Sequence, residues 1–219
     1  LERHLERLVD LHGDAVKVTL AEQHRMHEAI MRFPSEALYG GALRAHPAVA
    51  GRALDDAPLE VVDTSGRGFE EAAPPGSDSR ENEGEAALVV AEVERVLALG
   101  LAPGDVAVIA PYDGQVQRLR ALLAARVEQG LEVDTVDGFQ GREKEAVVVS
   151  LVRANEAGEV GFLADVRRMN VALTRARRKL VVVGDGATVA RHPFYEAFLR
   201  HAQDAGAWRS AWEREGAAP

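Results

Sequence analysis

Two polar, arginine-bearing segments of this chain could form a phosphate site. One is Asp134-Thr-Val-Asp-Gly-Phe-Gln-Gly-Arg-Glu-Lys-Glu145, and the other is Arg167-Arg-Met-Asn-Val-Ala-Leu-Thr-Arg-Ala-Arg177. Each stands beside an apolar, β-branched run that is typical of a buried strand. Arginine offers a planar fork of donors that matches the oxygens of a phosphate. The two segments therefore predict a site for a phosphorylated ligand.

Each segment also has a plainer interpretation. Residues 167–179 hold six cations, which could form a solvated helix face, and Arg168 and Arg175 could simply extend over a packed edge to reach water. The other segment could be a charged turn, since Gly138 and Gly141 supply backbone freedom at two of its positions. The residue types alone leave both interpretations open.

A third arginine, Arg25, lies in the segment Gln23-His-Arg-Met-His27 between a predicted strand and a predicted helix. His24 and His27 do not predict a metal site, because the chain has no cysteine and no paired carboxylates stand nearby. Stacking, capping or packing is the expected role of these histidines. Tyr112 follows Pro111 after another strand, and it could stack on a base or wedge against the sheet edge.

Some chemistry is disfavoured by what the sequence lacks. It has no G-x-x-x-x-G-K-[ST] loop, and Lys17, Lys144 and Lys179 stand in other contexts. None of these lysines has an acidic residue two positions before it, which disfavours a D…[DE]-x-K nuclease. No serine or histidine arrangement resembles a nucleophilic triad. A nucleotide site built from this chain alone would therefore be incomplete.

Composition indicates an ordinary globular protein. The 219 residues are 47% hydrophobic and 28% charged, and the net charge of −9 argues against coating of nucleic acid over the whole surface. No apolar run approaches the roughly 18 residues of a membrane span, and the first residues do not resemble a signal peptide. The absence of cysteine fits a reducing, cytoplasmic location. The chain begins with Leu1 and not with methionine, which suggests a fragment.

Strand and helix patterns alternate along the chain, which predicts an α/β fold with a parallel sheet covered by helices on both faces. The predicted strands are residues 16–20, 59–62, 106–110, 146–152 and 180–183. The predicted helices are residues 27–38, 83–99, 114–128, 165–176 and 193–203. Residues 64–84 read as a partly mobile surface loop, with Ser79 or Asn82 capping the helix that follows.

The phase of the predicted helix at 165–176 puts a stripe of four apolar residues on the sheet. The stripe consists of Met169, Ala172, Leu173 and Ala176. Because ligands of parallel sheets sit beyond the carboxyl ends of the strands, the loop after Ala110, the loop at 136–145 and the helix after Asp165 are expected to lie near one another.

An ordered set of motifs over about residues 15–200 resembles the superfamily 1B helicases of the Upf/Smubp type. The set comprises Leu20-Ala-Glu-Gln-His-Arg-Met-His27, Tyr39-Gly-Gly-Ala-Leu43, Asn82 with Glu85-Ala86, Ile109-Ala-Pro-Tyr-Asp-Gly-Gln115, Thr135-Val-Asp-Gly-Phe-Gln-Gly-Arg-Glu143 and Asn170-Val-Ala-Leu-Thr-Arg-Ala-Arg177. The resemblance implies the second, C-terminal RecA-like domain of an ATP-dependent helicase that moves 5′ to 3′ on single-stranded DNA or RNA.

The upstream RecA-like domain of the same polypeptide would then carry the phosphate loop and the Mg²⁺ ligands. The implied boundaries are a connector at residues 1–14, the domain at 15–205 and a tail at 206–219. ATP would bind between the two domains, and this chain alone is expected to be inactive.

The resemblance also implies a role for individual residues. Arg25 and Arg175 would reach the γ-phosphate, with Arg175 the better candidate for an arginine finger. Glu143 would contact the ribose, on the turn made by Gln140 and Gly141. His24 stands where tyrosine often stacks on adenine. Residues that would touch the nucleic acid strand are Thr135, Pro111 and Tyr112.

Two alternative functions remain at this stage. The chain could be a non-catalytic module that binds nucleic acid or protein and keeps only the helicase-like fold. It could also be a nucleotide-binding α/β enzyme of unrelated chemistry, which the ordered motif set disfavours.

Overall fold

A computed structural model describes Leu11 and residues 20–215 of the chain. Its strands are β1 (Glu22–Gln23), β2 (Arg44–Ala45), β3 (Leu59–Asp63), β4 (Val106–Ala110), β5 (Glu132–Thr135), β6 (Lys144–Ser150), β7 (Ala176–Gly184) and β8 (Trp208–Ser210). Six of them form one sheet in the order β5-β4-β6-β7-β3-β8, and every neighbouring pair is parallel. The short strands β1 and β2 pair separately. The predicted parallel α/β sheet is confirmed.

Nine helices accompany the strands within residues 20–215. They are α1 (Glu28–Tyr39), α2 (Pro47–Ala50), α3 (Glu83–Ala98), α4 (Asp113–Leu122), α5 (Ala124–Glu128), α6 (Val166–Leu173), α7 (Gly186–Val189), α8 (Pro193–Asp204) and α9 (Ala211–Glu215). Short 3-10 turns occupy Pro103–Asp105 and Gly161–Ala164. No helix of these residues is long and apolar enough to cross a membrane.

The sheet is covered on both faces because its central strands are apolar on both faces. Val147 and Val149 of β6 pack into one core with α1, α6 and α8. Ala146 and Val148 pack into the other core with α3 and α4. This alternation is the two-residue period of a strand buried between two helix layers.

Several predicted boundaries differ from the structure. The helix predicted at 165–176 ends at Leu173, and β7 begins at Ala176, where Lys144 pairs with it. Met169, Ala172 and Leu173 are buried as predicted, whereas Ala176 is buried in the strand. The helix predicted at 114–128 is interrupted at Leu123. The strand predicted at 16–20 lies outside the described residues except for Leu20.

Hydrogen bonds hold the second half of the loop at 64–84 against the rest of the domain. Ala72 and Glu81 form an isolated antiparallel bridge, and Arg118 of α4 donates to both carboxylate oxygens of Glu81 at 2.9 and 3.0 Å. Asn82 caps α3, since its side-chain oxygen accepts a hydrogen bond from the Glu85 N–H at 2.9 Å. Of the two capping candidates, the structure selects Asn82.

Residues 208–215, which the sequence places in a tail, add a strand and a short helix to the domain. Strand β8 pairs with β3 through three residues, and α9 follows it directly. Ala211 of α9 is buried in the same core as α3 and α4. The described fold therefore extends beyond residue 205.

Residues 136–143 form a crossover segment that joins β5 to β6 without a helix. Both strands run parallel to β4, so the segment must travel from the carboxyl edge of the sheet back to its amino edge. Val136 and Phe139 anchor it in the core. This segment decides where the polar groups of the first motif lie.

Candidate nucleotide and nucleic-acid sites

Arg25, Glu143 and Arg175 meet at the amino edge of the sheet. Glu143 ends the crossover segment one residue before β6, and Arg175 stands one residue before β7. Arg25 precedes α1, whose entry is fixed by a hydrogen bond from the His27 N–H to the Arg177 carbonyl at 2.8 Å. Arg25 forms an ion pair with Glu143 through its Nε. The structure therefore brings together the two predicted γ-phosphate arginines and the predicted ribose carboxylate.

Backbone carbonyls hold both arginines in place. Arg175 Nε donates to the Val171 carbonyl at 2.9 Å, and its Nη1 donates to the Arg142 carbonyl at 3.2 Å. Arg25 Nη1 donates to the Thr174 carbonyl at 3.1 Å. Cations at the carboxyl end of a helix are stabilised by its unpaired carbonyls. The end of α6 thus orients both guanidinium groups.

The electrostatics of this cluster favour an anion. Burial lowers the pKa of Arg175, the positive charge of Arg25 lowers it further, and Glu143 acts in the opposite direction. Arginine nevertheless stays charged in proteins. Two guanidinium groups that repel each other across a single carboxylate are a donor set suited to phosphate oxygens.

Other predicted nucleotide residues surround this cluster. Gly141 has a φ of 84° and turns the crossover segment toward Glu143, while Gln140 is exposed beside it. His24 stacks on His46 with 4.3 Å between ring centroids, and its Nε2 lies 3.3 Å from a carboxylate oxygen of Glu22. The ring of His46 therefore already covers one face of the His24 ring.

Glu22, His24 and His46 are close enough to be tested as a metal site, with ligand atoms within 4.8 Å of one another. The hydrogen bonding disfavours this. Nδ1 of His46 accepts from the Ala48 N–H at 3.1 Å, so the proton of the neutral ring is on Nε2. A metal-binding histidine keeps its proton on the nitrogen opposite the metal, where it acts as a donor. The side chains of Glu22, His24 and His46 are therefore not arranged to bind a metal ion.

A second cluster forms at the carboxyl edge of the sheet. Pro111, Thr135, Asp137, Asp165 and Arg168 line one small cavity. Arg168 bridges two of its walls, because its guanidinium lies 3.2 Å from Asp137 and 3.6 Å from Asp165. The predicted meeting of these three segments is confirmed for residues 111, 135–137 and 165–168.

The rest of the crossover segment departs from that expectation. Its first residues join the cavity, but Glu143 lies at the opposite edge, because the segment descends the full height of the sheet. Helix α6 runs the same way, from Asp165 at its start to Arg175 just past its end. The cluster of Arg25, Glu143 and Arg175 and the cavity therefore lie at opposite edges of the sheet, connected by two parallel segments.

Tyr112 does not have a free ring at this edge. It is 5% exposed, and its hydroxyl accepts hydrogen bonds from Arg153 Nη1 and from the Phe162 N–H, both at 3.1 Å. Its ring stacks on Phe162, whose centroid is 5.1 Å away. Of the two roles considered for Tyr112, the structure supports the packed one. Thr135 Oγ1 accepts from the Gly138 N–H at 3.1 Å, which fixes the start of the crossover segment.

Sequence reasoning missed two features of these sites. Phe162 is an exposed aromatic at the cavity, and its only sequence signal is a large apolar residue after Gly161 in a polar stretch. The other is a buried polar network in which Asn82 and Glu85 reach the end of β6, where Val152 adopts a φ of 72°. Such a φ is a genuine outlier for a β-branched residue.

Several known proteins are similar to this chain in sequence. A family model described as "AAA domain" (AAA_12) matches residues 2–187. "DNA-binding protein SMUBP-2" of Rattus norvegicus is 46% identical over 220 residues, which cover 95% of this chain and 22% of that protein. "DNA polymerase alpha-associated DNA helicase A" of Schizosaccharomyces pombe is 43% identical over 202 residues, with 84% and 30% covered.

A third relative, "Regulator of nonsense transcripts 1 homolog" of Neurospora crassa, is 38% identical over 212 residues, which cover 91% of this chain and 19% of that protein. The chain thus spans less than a third of the length of each of these three relatives. The chain belongs to the AAA_12 family and is a superfamily 1 helicase domain of the Upf/Smubp type.

Proposed function

We propose that this chain is the second, C-terminal RecA-like motor domain of an ATP-dependent helicase or translocase that moves 5′ to 3′ on single-stranded DNA or RNA. An upstream RecA-like domain of the same polypeptide would supply the phosphate loop and the Mg²⁺ ligands. ATP would bind between the two domains. The observation that carries the proposal is the pair of guanidinium groups, Arg25 and Arg175, fixed at the amino edge of the sheet beside Glu143.

The residues at this edge fit a nucleoside triphosphate. Arg175 and Arg25 would hold γ-phosphate oxygens, and Glu143 would accept hydrogen bonds from ribose hydroxyls on the turn made by Gln140 and Gly141. ATP supplies a phosphoanhydride whose cleavage places negative charge on the leaving oxygens. An arginine held by backbone carbonyls before the reaction stabilises that charge without having to reorganise.

The cluster of Arg25, Glu143 and Arg175 would be only half of such a site. Lys144 binds Glu132 at 2.6 Å, and Lys179 is buried among carboxylates, so both lysines are committed to ion pairs. The Mg²⁺ and the phosphate loop would come from the upstream domain, and the isolated chain would bind ATP weakly and hydrolyse essentially none of it.

The experiment is strand-stimulated ATP hydrolysis by the full-length protein, wild type against Arg175→Ala, with ATP affinity measured alongside. Loss of an arginine finger lowers turnover by about 10³- to 10⁵-fold, while the remaining contacts keep ATP bound. The matched control is Arg200→Ala, because Arg200 is an exposed residue of α8 paired with Glu196 at 2.9 Å. It should leave turnover unchanged.

Two results would contradict the proposal. If Arg175→Ala hydrolyses ATP at the wild-type rate, Arg175 is structural and the finger assignment is wrong. If the wild-type full-length protein binds single strands but has no ATP turnover, the chain is a non-catalytic binding module that keeps the helicase fold.

A further inference from the structure

Phe162 is an exposed aromatic residue at the carboxyl edge of the sheet. It lies in the 3-10 turn Gly161–Ala164 and is 59% exposed. One face of its ring covers Tyr112, with 5.1 Å between centroids and 28° between ring planes. The other face is open to solvent. An apolar ring held half in water is well placed to be covered by a ligand.

The surrounding residues fix this ring in position. The Phe162 N–H donates to the Tyr112 hydroxyl at 3.1 Å, and Arg153 donates to the same oxygen at 3.1 Å. Arg153 is buried and is held by Glu71 at 2.8 Å. A Cβ on Gly161 would overlap both Arg153 Nη1 and the Tyr112 hydroxyl. Only glycine fits there, and these contacts hold the turn that carries the Phe162 ring.

The neighbouring cavity shows how a ligand would approach. Pro111, Thr135, Asp137 and Arg168 line it, and its volume of about 30 Å³ leaves room for little more than water molecules. The exposed ring of Phe162, and not the cavity, is therefore the surface that suits a base. Half of the Arg168 side chain is exposed beside it, where its guanidinium could exchange Asp137 for a phosphate of the same strand.

We infer that Phe162 stacks on a base of the single strand bound by this domain, with Tyr112 as the positioning residue beneath it. The inference rests on the proposed function and refines it, because the aromatic that meets the base is Phe162 and not Tyr112. The occupant is single-stranded nucleic acid, since stacking on an aromatic needs an unpaired base and accepts any base.

The test measures binding of the full-length protein to a short fluorescein-labelled oligothymidylate, and to its oligouridylate counterpart, by fluorescence anisotropy. A set of oligonucleotides with one abasic position, moved along the strand, reports which base is stacked. Phe162→Ala should raise the Kd for the intact strand by about 5- to 150-fold, the range expected for the loss of one stacked base. Phe162→Trp should restore it.

The abasic set separates stacking from a merely structural effect. The wild type should lose affinity at one abasic position, and Phe162→Ala should be insensitive to that position because no stack remains to be lost. The matched control is Trp212→Ala. Trp212 is equally exposed at 59%, but it lies in α9, which follows the edge strand β8. It should bind like the wild type.

The outcomes distinguish this inference from the proposed function. If the wild type binds neither strand, the proposed function fails. If the wild type binds and hydrolyses ATP in response to the strand, yet Phe162→Ala keeps its affinity and its abasic profile, only the stacking role of Phe162 is wrong.

Discussion

Glu85 makes the stability of this fold depend on pH in a direction unusual for a carboxylate. It is completely buried in the first turn of α3, where its Oε1 accepts hydrogen bonds from Ser150 Oγ at 2.5 Å and from the Val152 N–H at 2.8 Å. No hydrogen-bond donor within the described residues reaches its Oε2. Burial raises the pKa of Glu85 to about 7, and its hydrogen bonds offset only part of that effect.

The size of the effect follows from the two pKa values. The ordinary pKa of a glutamate side chain is 4.5, and the pKa of Glu85 in the folded chain is about 7. At about 1.4 kcal/mol for each pKa unit, the ionised folded state is destabilised by about 3 kcal/mol. The folded state binds the proton more tightly than the unfolded state. Stability therefore falls as pH rises from about 4.5 to about 7, and this loss is complete above that range.

Glu85→Gln isolates this contribution, because glutamine keeps the acceptor oxygen and cannot ionise. Between about pH 5 and about pH 8, the wild type should lose about 2–3 kcal/mol more free energy of unfolding than the variant. The assay is urea unfolding of this chain at both pH values. His27 and His201, whose pKa values burial lowers, act on both proteins and cancel in the comparison.

Glu128→Gln is the matched control, since Glu128 is an exposed residue at the end of α5. It should show the pH dependence of the wild type. If Glu85→Gln and the wild type lose the same free energy between the two pH values, within about 0.5 kcal/mol, Glu85 is ionised at no unusual cost and the reasoning is wrong.

Two further substitutions test the packing described above. Lys179→Met should lower the free energy of unfolding in urea by about 3–5 kcal/mol. The reason is that Lys179 is buried, with its Nζ 2.6 Å from Asp55 and 2.9 Å from Glu60. A loss below about 1 kcal/mol would show that the carboxylates find other partners. Gly161→Ala should displace the Tyr112 hydroxyl and lower the thermal midpoint of unfolding, since residue 161 has a φ of 53° and no room for a Cβ. An unchanged midpoint would contradict that packing.

The central strands could be predicted from the sequence because strands buried on both faces consist almost entirely of apolar residues. The apolar runs at 106–110 and 180–183 need no distant partner to be read as strands, and Asn82 has a type that favours a cap. Strand β8 has the polar sequence Trp208-Arg-Ser210, and only its pairing with β3 makes it a strand. That pairing depends on the whole fold, and no local pattern reports it.

The site was predictable in its residue types and less so in its layout. The cluster of Arg25, Glu143 and Arg175 was expected from the resemblance, and the structure brings these residues together. Burial of Tyr112 was not predictable, because the groups that enclose it, Arg153 and Phe162, stand 41 and 50 positions along the chain. The cluster and the cavity lie at opposite edges of the sheet because of the path of the crossover segment, which no local pattern predicts.

The crossover segment descends the sheet in consecutive turns, in which the Phe139 N–H donates to the Thr135 carbonyl and the Arg142 N–H donates to the Phe139 carbonyl. It starts after Thr135, level with Ala110, and ends at Lys144, two positions before the level of Val106. That descent is about 20 Å of strand height, whereas the chain from Thr135 to Lys144 could span at most about 30–32 Å when fully extended. The segment also contains a turn at Gly141. The hydrogen bonds of these turns therefore take up the spare length of the segment, and a substitution that breaks them would loosen the connection between the two edges of the sheet.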